Sequence, residues 1–411
     1  MATSIQSAAD LCEALDAARA RPDFDSVLAE ELRAVDDRGL LRRLRVIGGA
    51  QNGTVLVDGR EAVLLCSNNY LGLANHPEVV EAAARATRAF GASAVSSRLI
   101  SGHMTAHADL EERIAAWKSS EAALLFSTGY HANVGVICSL VGAGDVVVSD
   151  ELNHASIIDG CRLSRARVAI YRHNDVESLR ETLAGCADAR RVLVITESVF
   201  SMDGDAAPLA AIADAAGEHG AWLMVDEAHA AGVFGPNGAG LAAELGLASR
   251  IDIHMGTLGK ALASFGSYVA GSRRLIDHLI NRARPFIFTT GLPPSAAAAA
   301  GAALDVIARE PERAAGLRAR ARALGQSLRD AGLDVPNLDS QILPVMVGDA
   351  RRAVAAAARL LELGYYVAAI RPPTVPAGTS RLRLSLMATH TSEQIAGAAS
   401  ALASVLRDVH D

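Results

Sequence analysis

The sequence predicts an α/β fold, a large domain on a mainly parallel sheet followed by a small C-terminal α/β domain. Three observations predict it. Short apolar runs alternate with helical stretches from Ala122 to Ala270. One of them, Val192-Leu193-Val194-Ile195, is apolar at every position, as a strand covered on both faces requires. The end of the chain repeats the alternation on a smaller scale. At 411 residues the chain exceeds what one small core organises, so we expect an N-terminal segment (1–65), a large domain (66–300) and a small C-terminal domain (301–411).

The strands expected in the large domain are Ala122 to Phe126, Asp145 to Ser149, Val192 to Glu197, Ala221 to Asp226, Ile253 to Gly256 and Ser267 to Ala270. Leu110, Ile114 and Trp117 mark a helix by their stripe. Arg284 and Pro285 end another. The alanine-rich stretch Ser295 to Ala308 and the arginine-rich one after it, to Ala331, read as long helices linking the domains. From Gln341 the order is strand, helix (Arg351 to Leu363, closed by Gly364), strand, strand and helix.

Half of the residues are hydrophobic, which suffices for a buried sheet. No uninterrupted apolar run reaches membrane-spanning length, and Met1 to Ala20 mixes small, acidic and basic residues instead of forming a signal-peptide core. A cytoplasmic protein without membrane attachment is expected. The five cysteines, Cys12, Cys66, Cys138, Cys161 and Cys186, are scattered and never spaced as CxxC, so they read as reduced thiols in or near the core. His103 and His107 stand four apart without the glutamate of a zinc helix, and they read as helix-surface or supporting residues; no metal is expected. A net charge of −7 argues against a nucleic-acid surface.

Lysine usage is sharper. Only Lys118 and Lys260 are lysines among the 39 basic residues, so this chain uses arginine wherever arginine serves. A lysine amine can lose its proton and become a nucleophile, whereas arginine cannot form a Schiff base. Lys260 follows Thr257-Leu258-Gly259 with few charges nearby, a setting for a desolvated amine of lowered pKa. Lys118 reads as replaceable by arginine.

Asp226-Glu227-Ala228-His229 follows one expected strand and Thr257 to Lys260 the next, so both reach the crevice at the carboxyl ends of a parallel sheet. A buried carboxylate keeps a pyridine nitrogen protonated, and a lysine holds an aldehyde; together they suit pyridoxal 5'-phosphate. Alone, such an aspartate is often a helix cap and a lone lysine a solvated charge. Ser127-Thr128-Gly129-Tyr130 precedes a helical run, as a phosphate site does, although many strand-to-helix turns contain Ser and Gly. His154, in Asn153-His154-Ala155-Ser156, reads equally as a core histidine. Ser201 stands in Val199-Phe200-Ser201-Met202-Asp203-Gly204-Asp205.

Together with Ser67-Asn68-Asn69-Tyr70-Leu71-Gly72-Leu73 and Ser97-Arg98-Leu99-Ile100-Ser101-Gly102, these motifs resemble the α-oxoamine synthases, a family of fold-type I pyridoxal-phosphate-dependent transferases, from about Leu41 to His390. The resemblance implies a large domain with a mainly parallel, seven-stranded sheet, a small C-terminal domain, and a homodimer with sites between subunits. It implies that Lys260 carries the cofactor as a Schiff base and Asp226 pairs with its ring nitrogen. His229 and Ser201 then lie on the phenolic-oxygen side, and His154 stacks on the ring and polarises a thioester. Gly129, Tyr130 and Thr257 are implied at the phosphate, and Thr289 or Thr290 at the phosphate of the partner subunit. Arg42, Arg371 and Thr374 are implied to bind substrate. One departure is Gly91-Ala92-Ser93-Ala94-Val95-Ser96, where relatives often carry a more glycine-rich turn.

The implied activity is decarboxylative condensation of an amino acid with an acyl-coenzyme A or acyl-carrier thioester. Arg284 to Pro294 and Arg371 to Pro376 favour L-alanine and a pimeloyl thioester; Gly256 to Leu262 and Asn153 to Gly160 fit glycine and acetyl-coenzyme A as well. A silent regulatory homologue is the reading from another class, and the presence of Lys260, Asp226 and His229 weighs against it.

Overall fold

The structure, a computed structural model, describes residues 23–408; Met1 to Ala20, with Cys12, lies outside them. The strands are β1 (Ile47–Gly48), β2 (Thr54–Val57), β3 (Arg60–Leu64), β4 (Ala122–Phe126), β5 (Val146–Asp150), β6 (Arg167–Tyr171), β7 (Val192–Glu197), β8 (Trp222–Asp226), β9 (Ile253–Thr257), β10 (Ser267–Gly271), β11 (Ile342–Gly348), β12 (Tyr365–Tyr366), β13 (Ala368–Ile370) and β14 (Ser380–Ser385).

The central sheet has seven strands in the order β4-β10-β9-β8-β7-β5-β6, and only β10 runs against the rest. Its strands are apolar throughout because each face is covered. Leu193 and Ile195 join one cluster with Ala132, Val136 and Ile157 from the helices Gly129–Leu140 and Ala155–Ser164. Val194 points the other way, into a cluster with Leu209 and Ile212 from the helix Leu209–Glu218. Each fully buried residue of this kind is worth roughly 1.5–3 kcal/mol in transfer free energy.

Six of the seven strands stand where the apolar runs predict them, within a residue at each end. The strand the sequence reading missed is β6, an edge strand paired only to β5. Its run Val168-Ala169-Ile170-Tyr171 is apolar, yet Val168 and Ile170 are exposed and only Tyr171 is buried, as befits a strand at the sheet edge.

Helices Pro294–Arg309 and Pro311–Asp330 correspond to the long helices expected, and each begins on a proline, whose missing N–H costs nothing in a first turn. Beyond them β11, β14 and β13 form an antiparallel sheet accompanied by the helices Ala350–Glu362 and Ser392–Asp408. A further sheet, β1-β2-β3-β12, ties the N-terminal hairpin to the C-terminal part through the parallel pair β3 and β12.

Three polar residues depart from the sequence reading. Lys118 is buried and ion-paired to Glu227, and it also donates to the Ala239 carbonyl. Burial would raise the Glu227 carboxyl, but the Lys118 ammonium and His254 beside it bring it down to about 2. Lys118 is therefore a core ion-pair member, not the residue freely replaceable by arginine that the sequence suggests. His107 is buried too: its Nε2 bonds the Leu292 carbonyl at 2.8 Å, and its Nδ1 accepts from the Met104 N–H. Cys138 is exposed, whereas Cys161 and Cys186 are buried; with half-buried Cys66 they are free thiols. Among the described residues no helix is long and apolar enough to cross a membrane.

Candidate active site

The parallel strands deliver side chains to one end of the sheet, because each turns into a loop there. β4 leads to Gly129, β5 to His154, β7 ends on Glu197, β8 ends on Asp226, and β9 leads through Thr257 to Lys260. Gly129, Tyr130, His154, Asp226, His229, Thr257 and Lys260 all line a single cavity of about 210 Å³.

Asp226 is buried and held twice. Its Oδ2 accepts from Asn133 Nδ2 and its Oδ1 from the Ala228 N–H, both at 2.9 Å. Asn133 lies one turn into the helix Gly129–Leu140 and also donates to Ser156 Oγ at 2.9 Å. Ser156 in turn bonds His154, whose Nδ1 accepts from the Ser156 N–H at 3.2 Å as the cap of the helix Ala155–Ser164. With Nδ1 an acceptor, a neutral His154 carries its proton on Nε2. His154 is exposed over part of its surface, and the removal of the rest of its ring from water lowers its pKa and favours that neutral form.

Lys260 Nζ lies 3.0 Å from His229 Nε2, and His229 Nδ1 lies 2.6 Å from Tyr70 Oη. A Lys260 N–H donated to Nε2 places the ring proton on Nδ1, toward Tyr70, whose own O–H then serves Asn68 Oδ1 at 3.0 Å. Burial first, and then the Lys260 charge, hold His229 well below the ordinary histidine range. Burial likewise brings the Lys260 amine down to about 8, against the pull of Asp226 and Glu197. A free amine near neutral pH is a nucleophile and a base.

The fit to pyridoxal phosphate rests on four features of this cavity. An amine and a carboxylate face it together. Thr257 Oγ1 is buried and has no hydrogen-bond partner among the described residues. The helix at Gly129 turns its N-terminus to the cavity, with the His131 N–H taken by Thr128 Oγ1 and those of Gly129 and Tyr130 left for a ligand. A Cβ on Gly129 would stand 2.9 Å from Thr257 Cγ2, so only glycine leaves this corner open. The residues present suit an aldehyde, a ring nitrogen and a phosphate.

Other residues named from the sequence lie elsewhere in this chain. Ser201 is buried beside the cavity residues without lining it, and its carbonyl accepts from Arg383 Nε at 2.5 Å. Thr289 and Thr290 line a separate small cleft with Arg98 and Ser127. Thr374 lines a cavity of about 610 Å³ with Asn153, Phe200 and Arg381. Arg42 and Arg371 meet at the same loop: Arg42 donates to the Pro372 carbonyl at 3.2 Å, and Arg371 to the Leu41 carbonyl at 2.7 Å. Burial, then the nearby Arg42 charge, lowers the Arg371 pKa.

Sequence reasoning missed Asn133, Glu197 and Arg383. Arg383 is buried on β14, donates to Ser385 Oγ at 2.7 Å, and among the described residues has no carboxylate within ion-pair distance. Alternation in Arg381-Leu382-Arg383-Leu384 signals a strand, but it gives no sign that both arginines face inward.

Residues 60–402 match the family model described as aminotransferase class I and II. The chain is 57% identical over 382 residues to the 8-amino-7-oxononanoate synthase of Anaeromyxobacter dehalogenans, covering 93% of this chain and 96% of that one. To the 8-amino-7-oxononanoate synthase of Geobacter sulfurreducens it is 52% identical, over 93% of this chain and 98% of that one. Among solved structures it is similar to a serine palmitoyltransferase from S. paucimobilis with bound PLP-myriocin aldimine, at a TM-score of 0.89 and 35% identity, covering 94% of this chain and 98% of that one. The 8-amino-7-oxononanoate synthase from Francisella tularensis matches at a TM-score of 0.74 and 26% identity, covering 85% and 99%.

Proposed function

The chain belongs to the aminotransferase class I and II family and, within it, to the α-oxoamine synthases, and from that premise we propose that it joins L-alanine to a pimeloyl thioester. Carbon dioxide and the thiol leave, and the product is 8-amino-7-oxononanoate, for biotin biosynthesis. One observation carries the chemistry: an amine of lowered pKa and a doubly hydrogen-bonded carboxylate share one cavity. Identities of 57% and 52% to enzymes named for this product, against 35% to a serine palmitoyltransferase, support the substrate pair.

Pyridoxal phosphate, when bound, supplies an electron sink for the α-carbon of the amino acid. Lys260 would hold its aldehyde, Asp226 its ring nitrogen, Gly129, Tyr130 and Thr257 its phosphate, and His229 and Ser201 its phenolic side. Lys260 takes the α-proton at Nζ and later returns one. His229, neutral and anchored by Tyr70, aims that amine through the Nε2 contact. His154 donates its Nε2 proton toward the thioester oxygen, which gains charge as the new carbon–carbon bond forms. Arg383, a buried cation without an ion-pair partner among the described residues, takes the amino acid's carboxylate until it is lost. Arg42 and Arg371, together at the loop that carries Thr374, take the far carboxylate of the pimeloyl chain.

The enzyme works as a homodimer in the cytoplasm under this proposal. Exposed Val95, Ile100 and Phe288 lie on segments joined by the Ser97–Thr290 bridge, an apolar surface suited to a second copy. Thr289 and Thr290 stand at that surface, where they reach the partner's cofactor phosphate instead of their own.

A steady-state screen of alanine, glycine and serine against pimeloyl-, acetyl- and palmitoyl-coenzyme A tests the reading. Alanine with pimeloyl-coenzyme A is expected to give the highest kcat/KM. A preference for glycine with acetyl-coenzyme A, or serine with palmitoyl-coenzyme A, overturns the substrate pair and leaves the Lys260 chemistry standing.

A further inference from the structure

Glu197 takes no part in the chemistry above. It ends β7 directly in register with Asp226 at the end of β8, so two carboxyl groups sit side by side on neighbouring strands. Glu197 is 3% exposed, lines the cavity of Lys260, and its Oε1 has no hydrogen-bond partner among the described residues. The hydrogen bonding is unequal. Both oxygens of Asp226 accept N–H donors, from Asn133 and Ala228, an arrangement that favours a carboxylate. Glu197 has one oxygen left without a donor, which favours a neutral acid, since burying an ionised carboxylate with an unpaired oxygen is expensive.

We infer that this pair holds a single negative charge, placed on Asp226, and that Glu197 stays protonated and acts through Asp226 as a positioning residue. The charged and titratable groups facing Glu197 are Asp226 on β8, Lys260 after β9 and His154 at its helix start, with neutral His229 in the same cavity. Burial first, and the Asp226 charge second, hold the Glu197 carboxyl well above the ordinary range. They outweigh Lys260 and the backbone N–H groups of His154 and Ser201.

The consequence is a charge count. One carboxylate matches one protonated ring nitrogen, and two would compete for it. An ionised Glu197 would also raise the Lys260 pKa and leave less free amine. Two carboxyls with environments that push them apart commonly divide their roles in this way. This inference rests on the proposed role of Asp226 but not on the identity of either substrate.

The test is infrared spectroscopy of the holoenzyme labelled with ¹³C-glutamate, without substrate. A protonated-carboxyl C=O band is expected at neutral pH in the wild type, absent in Glu197→Gln, and lost from the wild type as pH rises through the raised pKa. The wild-type titration alone decides the point even where the variant folds poorly. The kcat profile supplies a second readout, since a fall at high pH caused by Glu197 ionisation disappears in Glu197→Gln, whose amide cannot ionise. A wild type without the band, or a variant that retains both the band and the high-pH fall, overturns the inference. A failed substrate assignment would leave the band untouched.

Discussion

Lys118 and Glu227 form an ion pair withdrawn from solvent, while Asp226, one residue before Glu227, faces the cavity of Lys260. Glu227 Oε1 also accepts from the Ala242 N–H at 3.0 Å, so the loop after β8 is tied down from behind. Lys118→Met leaves the buried Glu227 charge without its ammonium partner and is expected to cost about 3–5 kcal/mol. Lys118→Arg overfills the same space and is expected to cost about 1–3 kcal/mol. Urea unfolding measures both, and an unchanged midpoint in Lys118→Met would show the pair to be structurally idle.

Lys260→Arg keeps the charge but removes the only amine in the cavity. Turnover is expected to fall by at least about 10²–10⁴-fold, the range of a lost acid–base group. Borohydride should fix pyridoxal phosphate covalently to the wild type and not to the variant. Normal turnover, with contaminating wild type excluded, would refute the assignment.

For Asp226→Asn we expect exchange of the substrate α-proton to slow by about 10²–10⁴-fold, because an amide cannot keep the ring nitrogen protonated. Asn133→Ala should slow it less, since Ala228 still holds the other oxygen. Exchange at the wild-type rate in Asp226→Asn rules out this role.

Arg383→Lys tests the carboxylate anchor. A charged hydrogen bond contributes about 1.5–3 kcal/mol, so KM for the amino acid should rise roughly ten- to a hundredfold while KM for the thioester moves little. Equal changes in both KM values would argue for a general structural defect.

His173 links the end of β5 to the loop that carries Ser201, bonding Asp150 at 2.9 Å and Asp205 at 2.7 Å. Burial alone would lower its pKa, but the two carboxylates push it up to about 10 from 6.5. The folded pKa lies above the unfolded one, so the stabilisation is full below about 6.5 and is lost as pH rises through about 10. Urea midpoints measured across that window should decline in the wild type. The decline should be shallower in His173→Gln, and identical slopes would exclude His173 as its source.

The α/β order, six of the seven central strands, and the meeting of Lys260 and Asp226 in one cavity were legible in the sequence. That was possible because two-sided burial writes continuous apolar runs, and because Asp226 and Lys260 each follow a strand whose carboxyl end opens on the same crevice. Tertiary structure alone decided the rest. Lys118 reads as replaceable by arginine until Glu227, 109 residues away, is folded against it. The apolar run Val168 to Tyr171 of β6 became a strand only by pairing at the sheet edge with β5, which the sequence does not show. Glu197, Asn133 and Arg383 show no local pattern, because their positions follow from strand order and helix docking, and the burial that shifts a pKa exists only once distant segments exclude water together.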